Sequence, residues 1–119
     1  EFFILSNPSL ILIQSNSMNY KKDVFNQYAQ SVAKAHDIST KQLFTKDKSK
    51  PVVDARHMLY YLCSKRPMRI AYIETYMKDS GYQITHSSII HGLKSVDQNK
   101  IKDKDFMAVC NKIEECVTL

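Results

Sequence analysis

The chain of 119 residues contains only two glycines and three prolines, the residues that form most of the tight turns in antiparallel sheets. Strict alternation of apolar and polar residues is also scarce, so neither a β-sandwich nor a β-barrel is expected. A hydrophobic content of 44% is enough for one compact core, and the length is too short for two ordinary domains. The sequence therefore predicts a single all-α domain.

Cysteine is scarce and has no obvious pairing. Cys63, Cys110 and Cys116 are odd in number and form no C-x-x-C motif, which predicts free thiols in a reducing compartment, with Cys63 and Cys110 as small core residues. The four histidines do not pair with cysteine at zinc spacing, so we expect no metal site.

Catalytic motifs are missing as well. The phosphate-binding loop G-x-x-x-x-G-K-S/T is absent, so we expect no ATPase activity and no cofactor. Ser87 with His86 or His91 could suggest a nucleophile and its base, but no orienting acid and no oxyanion site accompany them. We therefore predict that the protein is not an enzyme and has no catalytic residues.

The first 17 residues, EFFILSNPSLILIQSNS, are the most apolar stretch. The run is interrupted by Ser-Asn-Pro-Ser, has no basic start and is too short to span a bilayer, so we expect neither a signal peptide nor membrane association. The expected location is cytoplasmic. A helical pattern follows Met18 directly. We interpret residues 1–17 as an extension added ahead of a natural start at Met18 and residues 18–119 as the domain. The extension is expected to pack on its own domain, to mediate self-association or to bind a protein partner.

Positive charge is concentrated in the middle of the chain. The formal net charge is +5, but residues 41–69 alone hold eight basic and two acidic residues, a net charge of +6, which leaves −1 for the rest. The basic residues of this stretch are Lys41, Lys46, Lys48, Lys50, Arg56, Lys65, Arg66 and Arg69. Such an excess favours an anionic partner such as nucleic acid, because each neutralised phosphate releases counterions, although a solvated basic surface is the alternative.

Apolar residues at helical spacing predict a compact bundle of about five to six helices. We expect a helix over 19–36, a short helical turn over 37–44 and an exposed basic loop over 45–50. The next helix begins at Pro51 and buries Val53, Met58, Leu59 and Leu62. A further helix begins at Pro67 and stops at Asp79–Gly81, one is capped by Thr85, and the last begins near Asp103.

The helix capped by Thr85 opens with His86, Ser87 and Ser88, three small, uncharged side chains that can form hydrogen bonds. Two helices joined by a turn, the second beginning with such residues, are typical of a helix-turn-helix unit. In these units the start of the second helix meets base edges in the major groove. The alternative is that the three residues simply begin a surface helix.

The chain resembles the C-terminal DNA-binding domain of the bacterial replication initiator DnaA, a small helical domain with a Trp-repressor-like helix-turn-helix. The family motif D-H-S/T-T-V/I/L-x-H-A aligns with residues 85–92, THSSIIHG. KDKSKPVVDARHMLYYL is similar to the basic loop and V-x-x-x-R-Q-x-A-x-Y-L of the family, and SVAKAHDISTKQLF to its V-A-x-x-x-x-V-x-x-x-x-L. The similarity extends from about Val24 to Val117.

The resemblance implies a set of DNA-binding residues. Lys48, beside Lys50 in the basic loop, matches an arginine that enters the minor groove. Arg56 and His57 match an Arg-Gln pair near the major groove. His86, Ser87 and Ser88 take base-reading positions, and Thr85 replaces an aspartate that helps to read the site. The residues implied to grip the phosphate backbone are Lys65, Arg66 and Arg69, and His91 is interpreted as structural.

The family's G-G-R-D before the recognition helix is replaced here by the longer Asp79–Thr85, so its arginine and its aspartate are both absent. We expect a stand-alone relative from a phage, mobile element or compact bacterial genome that binds double-stranded DNA in a bacterial cell or phage-infected host. It would act in replication initiation or its regulation without an ATPase. The alternative is a protein-interaction module that keeps the helix-turn-helix scaffold and binds a replication or transcription protein.

Overall fold

The computed structural model describes residues 17–117, and the regular secondary structure in this range is entirely helical. The all-α prediction is therefore confirmed. Of the predicted extension, residues 1–16 lie outside the described residues and Ser17 is the first residue of the first helix. No helix between residues 17 and 117 is both long enough and apolar enough to cross a bilayer. The α-helices are α1 (Ser17–Ala35), α2 (Lys50–Lys65), α3 (Ile70–Asp79), α4 (His86–Ser95) and α5 (Lys104–Cys116), with a 3₁₀ turn at Thr40–Phe44 and a π turn at Val96–Lys100.

The core forms where the inward stripes of α1 and α2 meet. The predicted stripe of α1 is buried throughout, and in α2 Met58, Leu59 and Leu62 are buried as expected. The prediction that Val53 is buried is wrong, since Val52 is buried and Val53 is only half-buried. Because Val52 is three residues before the buried Ala55, it lies on the helical stripe that faces the core, whereas Val53 is turned toward α4. The α1 residues of the core are Val24, Phe25, Tyr28, Ala29, Val32 and Ala33.

Helix α3 begins at Ile70, three residues later than predicted from Pro67. The amide of Met68 donates to the carbonyl of Cys63 at 2.9 Å, and the Met68 side chain is buried. Residues 66–69 therefore form a tight link that closes the end of α2 before α3 can start. The predicted stop at Gly81 is confirmed, since Gly81 has a φ of 114° and the amide of Tyr82 reaches back to the carbonyl of Met77 at 3.0 Å.

The last two helices begin at side-chain caps; the cap at Thr85 is the predicted one, and for α5 the sequence predicts only a start near Asp103. The Thr85 hydroxyl accepts from the amide of Ser88 at 3.1 Å, and the Asp103 carboxylate accepts from the amide of Asp105 at 2.9 Å. Between them the chain widens into the π turn, which the apolar pattern does not indicate, and the amide of Ile101 donates to the carbonyl of Val96 at 3.0 Å. This turn leads the chain away from α4 and toward α5.

Candidate nucleic-acid interface

The start of α4 presents polar side chains to solvent. His86, Ser87 and Ser88 are all exposed, and the hydroxyls of Thr85 and Ser88 lie 3.0 Å apart. Thr85 satisfies one of the free amides of the first turn, and the remaining amides give this end of the helix a partial positive charge. The structure therefore brings the four consecutive residues predicted as a base-reading segment together at an exposed helix start.

Gly92 sets the spacing between α4 and α2. A Cβ atom at this position would lie 2.9 Å from Cδ2 of His57 and 3.0 Å from Cδ2 of Tyr60. Both distances are shorter than ordinary van der Waals contact, so the rings of α2 lie directly against the backbone of α4. Ile89 of α4 and Val96, directly after α4, are both fully buried and hold this side of the helix in the core. The exposed residues at the start of α4 are thus held by a closely packed interface.

A cavity of about 310 Å³ opens between α2 and the start of α4. We call it the interhelical cavity. Four of the predicted site residues, Arg56, His57, Ser87 and Ser88, line it together, and none of its lining residues is acidic. The other residues of the lining are Val53, Tyr60, Tyr82, Ile84 and His91. The cavity is therefore rich in hydrogen-bond donors and carries positive charge from Arg56.

Tyr60 is an unusual part of this lining. The residue is 4% exposed, and no hydrogen-bond partner for its hydroxyl lies within residues 17–117. No fully buried side-chain oxygen or nitrogen in this range lacks a partner, so the hydroxyl must reach solvent, and Tyr60 borders solvent at the cavity. Burial raises the pKa of Tyr60, so the hydroxyl stays protonated and can donate to a ligand.

His57 forms the part of the cavity wall that lies against Gly92. Burial lowers the pKa of His57, and the positive charges of Lys100 and Arg56 and the nearby His91 act in the same direction, while Asp54 opposes them. The neutral imidazole is therefore favoured in the folded protein. A bound anion would favour the protonated form instead, since it would offset the surrounding positive charge.

Arg56 was predicted as a direct DNA contact, but the structure places it inside the fold. It is 5% exposed, its Nε donates to the carbonyl of Leu43 at 2.9 Å and its Nη2 donates to the carbonyl of Thr45. The guanidinium also lies 4.7 Å from the centre of the Tyr82 ring. Because these contacts hold both the 3₁₀ turn and the connection before α4, Arg56 is a positioning residue whose charge reaches the cavity wall.

The basic loop between the 3₁₀ turn and α2 is exposed, as predicted. The Asp47 carboxylate accepts from the amide of Ser49 at 2.8 Å, and these hydrogen bonds from Ser49 lower the pKa of Asp47. Lys48 lies within this turn and is exposed, and Lys50 follows with 80% of its side chain exposed although it pairs with Asp54 at 3.2 Å. Arg56 connects this loop to Tyr82, three residues before the cap of α4, so Lys48 and the start of α4 belong to neighbouring segments.

Arg69 is also exposed and is the residue directly before α3, where its side chain forms no capping hydrogen bond. On the same helix, the Glu74 carboxylate lies 3.6 Å from Nδ1 of His86, so the middle of α3 contacts the first residue of α4. Arg69 precedes Glu74 by five residues, roughly 7 to 8 Å along the helix axis at 1.5 Å per residue. Arg69 is thus about one and a half helical turns from the contact with His86.

Lys65 and Arg66, predicted to grip the phosphate backbone, are bound to other parts of the fold. Nζ of Lys65 lies 3.3 Å from Glu114 of α5, and this partner raises the pKa of Lys65. Arg66 donates to the Tyr28 hydroxyl at 3.1 Å and to the carbonyl of Val117 at 3.4 Å. These two residues join the end of α2 to α1 and α5, and the structure does not bring them into the interhelical cavity.

The sequence interpretation missed Tyr60 and Tyr82 and assigned His91 a structural role, although it is exposed at the cavity. Helical spacing contains the signal for two of them. Tyr60 follows His57 by three residues and His91 follows Ser87 by four, so each shares a helix face with a predicted site residue. Tyr82 belongs to the longer connection before α4 and has no such signal.

Comparisons with protein-family models, with curated proteins and with solved structures each found no match. The helix-turn-helix assignment and the resemblance to the DnaA C-terminal domain therefore remain predictions.

Proposed function

We propose that this protein binds double-stranded DNA with a sequence preference, and that the first turn of α4 enters the major groove. The observation that carries this proposal is the exposure of His86, Ser87 and Ser88 at the positive end of a helix that Thr85 caps and Gly92 holds against α2. Histidine and serine side chains can donate to and accept from base edges, and they are small enough to let the helix approach the bases.

Backbone contacts would come from the exposed basic residues beside this segment. Lys48 and Lys50 lie in and after the loop that Arg56 ties to Tyr82, and Arg69 lies at the start of the helix that contacts His86. Such residues set the register of a protein on the duplex without reading its sequence. We leave Lys65 and Arg66 out of the proposed interface, because Lys65, although exposed, pairs with Glu114, Arg66 binds the Tyr28 hydroxyl, and neither lines the interhelical cavity.

The interhelical cavity supports an anionic ligand at the same surface. It offers the Tyr60 hydroxyl, the charge of Arg56 and the hydroxyls of Ser87 and Ser88, and it has no acidic lining residue to repel a phosphate. Hydrogen bonds from charged donors to phosphate oxygens are among the stronger contacts in proteins. A phosphate of the DNA backbone at the mouth of this cavity would satisfy the Tyr60 hydroxyl.

The resemblance supplies the biological setting of the proposal. If α3, the connection over residues 80–85 and α4 act as a helix-turn-helix, the protein is a relative of the DnaA C-terminal domain and acts in replication initiation or its regulation. The packing of α3 against α4 and the capped start of α4 support this assignment.

The test compares two kinds of variant by fluorescence anisotropy, on a duplex selected from a random pool and on an unrelated duplex. Lys48→Ala and Arg69→Ala should weaken binding to both duplexes and each reduce the slope of log K against log salt by about 1. Ser88→Ala should lower the preference for the selected duplex by roughly fivefold, the loss of one hydrogen bond of about 1 kcal/mol. Lys112 is an exposed lysine of α5, so Lys112→Ala is the matched charge control and should leave the affinity for both duplexes unchanged. Equal losses on both duplexes for all variants would contradict the assignment.

A second candidate function is a protein-interaction module that binds a replication or transcription protein. The observation that favours it is a groove of about 490 Å³ between α1 and α5, lined in part by Ala35, Val109, Ile113 and Cys116. Binding of the selected duplex no tighter than the non-specific range of roughly 10⁻⁴ to 10⁻⁶ M at about 0.1 M salt would favour this alternative.

A further inference from the structure

Glu74 lies where a DNA-binding surface would not ordinarily carry an acidic residue. Its side chain is 40% exposed on α3, and its Oε1 lies 3.6 Å from Nδ1 of His86, the first residue of α4. The other acidic residue of α3, Asp79, pairs with Lys22 of α1 at 3.5 Å and so belongs to a different contact. A carboxylate beside the proposed major-groove segment repels phosphates, which lowers affinity for every sequence alike. Its position beside His86 suggests a gain in selectivity instead.

The chemistry of imidazole explains what this contact can do. A neutral histidine carries its proton on one ring nitrogen and accepts hydrogen bonds at the other. A negative charge 3.6 Å from Nδ1 favours the proton on Nδ1. Nε2, on the opposite edge of the ring, is then an acceptor. Since the side chain of His86 is 56% exposed, this acceptor can reach a ligand in solvent.

We propose that Glu74 is a positioning residue that sets the base preference of His86, and that His86 reads a base with an amino group in the major groove. This inference rests on the proposed DNA-binding function. In the major groove the amino donors are N6 of adenine and N4 of cytosine, whereas guanine and thymine present acceptors there. An acceptor at Nε2 pairs with adenine or cytosine and is repelled by O6 of guanine or O4 of thymine.

The first experiment selects sequences from a random duplex pool with the wild-type protein, Glu74→Ala and Glu115→Ala. The assay is run at about pH 8, above the range in which histidine side chains usually titrate. Glu115 is exposed on α5, so its variant removes the same charge away from His86. We expect one position of the wild-type motif to prefer adenine or cytosine by roughly fivefold, the value of one hydrogen bond. Glu74→Ala should lose this preference and keep the rest of the motif. Glu115→Ala should keep the preference and the rest of the motif.

Two further measurements separate positioning from simple charge. The preferred base is replaced by an analogue without its amino group, purine for adenine or 2-pyrimidinone for cytosine. This change should weaken binding by the wild-type protein by the same roughly fivefold factor and leave the affinity of Glu74→Ala unchanged. In a His86→Ala background, Glu74→Ala should not alter the motif further. Circular dichroism and thermal melting establish that each variant is folded.

The outcomes distinguish this inference from the function on which it rests. A wild-type protein that enriches no sequence contradicts the proposed function, and the inference with it. A clear wild-type motif that Glu74→Ala leaves intact overturns the inference alone. So does a uniform gain in affinity with an unchanged motif, because Glu74 would then act only through its charge. A motif change that persists in the His86→Ala background also overturns it.

Discussion

The start of α4 and the end of α2 both carry polar and basic side chains, but the fold uses them differently. At the end of α2, Lys65 is paired with Glu114 of α5 and Arg66 with the Tyr28 hydroxyl of α1, so their polar groups hold helices together. At the start of α4, the side chains of residues 86–88 are exposed beside a cavity lined by Tyr60, whose hydroxyl has no hydrogen-bond partner among residues 17–117. The first region pairs its polar groups with other helices, and the second leaves them exposed to solvent, where the proposed DNA ligand would meet them.

This contrast changes the meaning of the charge cluster in the sequence. Of the eight basic residues in 41–69, Arg56 and Arg66 bind groups within the fold and Lys65, although exposed, pairs with Glu114, whereas Lys48 and Arg69 are exposed without such a partner among residues 17–117. A stretch with net positive charge therefore does not mark a uniform binding surface. Its exposed members, taken with the start of α4, make the proposed interface smaller than the sequence alone indicates.

The largest expected effect on stability is that of replacing Arg56. This residue lies beside the cavity, but its side chain is bound to other parts of the fold, as are those of Lys65 and Arg66. Arg56→Ala removes two charged hydrogen bonds and leaves the buried carbonyl of Leu43 without its donor. We expect the free energy of unfolding in urea to fall by about 3 kcal/mol. Arg69→Ala, the exposed arginine of the same stretch, should change it by less than about 0.5 kcal/mol.

If Arg56→Ala lowers the free energy of unfolding by less than about 1 kcal/mol and also weakens DNA binding, Arg56 contributes to ligand binding and not mainly to stability. Arg56→Gln is a useful second variant if the alanine protein does not fold. Its shorter side chain retains hydrogen-bond donors for one carbonyl and removes the charge.

Gly92 tests whether the cavity depends on the close approach of α2 and α4. Gly92→Ala gains up to about 1 kcal/mol of helix propensity, but its methyl group would lie 2.9 Å from the His57 ring and 3.0 Å from the Tyr60 ring. Overpacking of this kind costs typically 1–3 kcal/mol, so we expect a net loss of about 1 kcal/mol in thermal or urea unfolding. Adding His57→Ala should recover part of that loss, because it removes the nearest contact. A Gly92→Ala protein more stable than the wild type would show that the rings move aside easily and that the spacing is not fixed.

The features that the sequence predicts well are those that depend on neighbouring residues. Helical spacing indicates the buried stripe of α1, and the cap Thr85 and the stop at Gly81 act within a few residues of their own position. Arg56 binds carbonyls 11 and 13 residues away, and Lys65 pairs with a residue 49 positions later. Such partners depend on how the helices pack, which the local pattern does not contain. For the same reason the sequence predicts the exposed start of α4 but not the cavity beside it.

The smallest expected effect is a dependence of stability on pH that arises from His57 in the cavity wall. Burial, together with the nearby His91, Lys100 and Arg56, lowers the pKa of His57 in the folded protein below its value in the unfolded chain. The unfolded chain therefore binds more protons than the folded protein as the pH falls through about 6.5, the ordinary value for histidine. The contribution of His57 to stability is complete above this pH and is lost progressively as the pH falls toward the folded pKa.

Urea unfolding at a series of pH values between about 8 and 5 measures this effect, and His57→Gln should show a weaker decline than the wild type over the lower half of that range. Bound duplex should oppose the decline in the wild type, since a phosphate near the cavity favours the protonated imidazole. A wild-type protein and a His57→Gln variant with parallel pH profiles would show that the His57 ring is as well solvated as in the unfolded chain. The cavity would then be an open surface, and the contrast with the closed end of α2 would be lost.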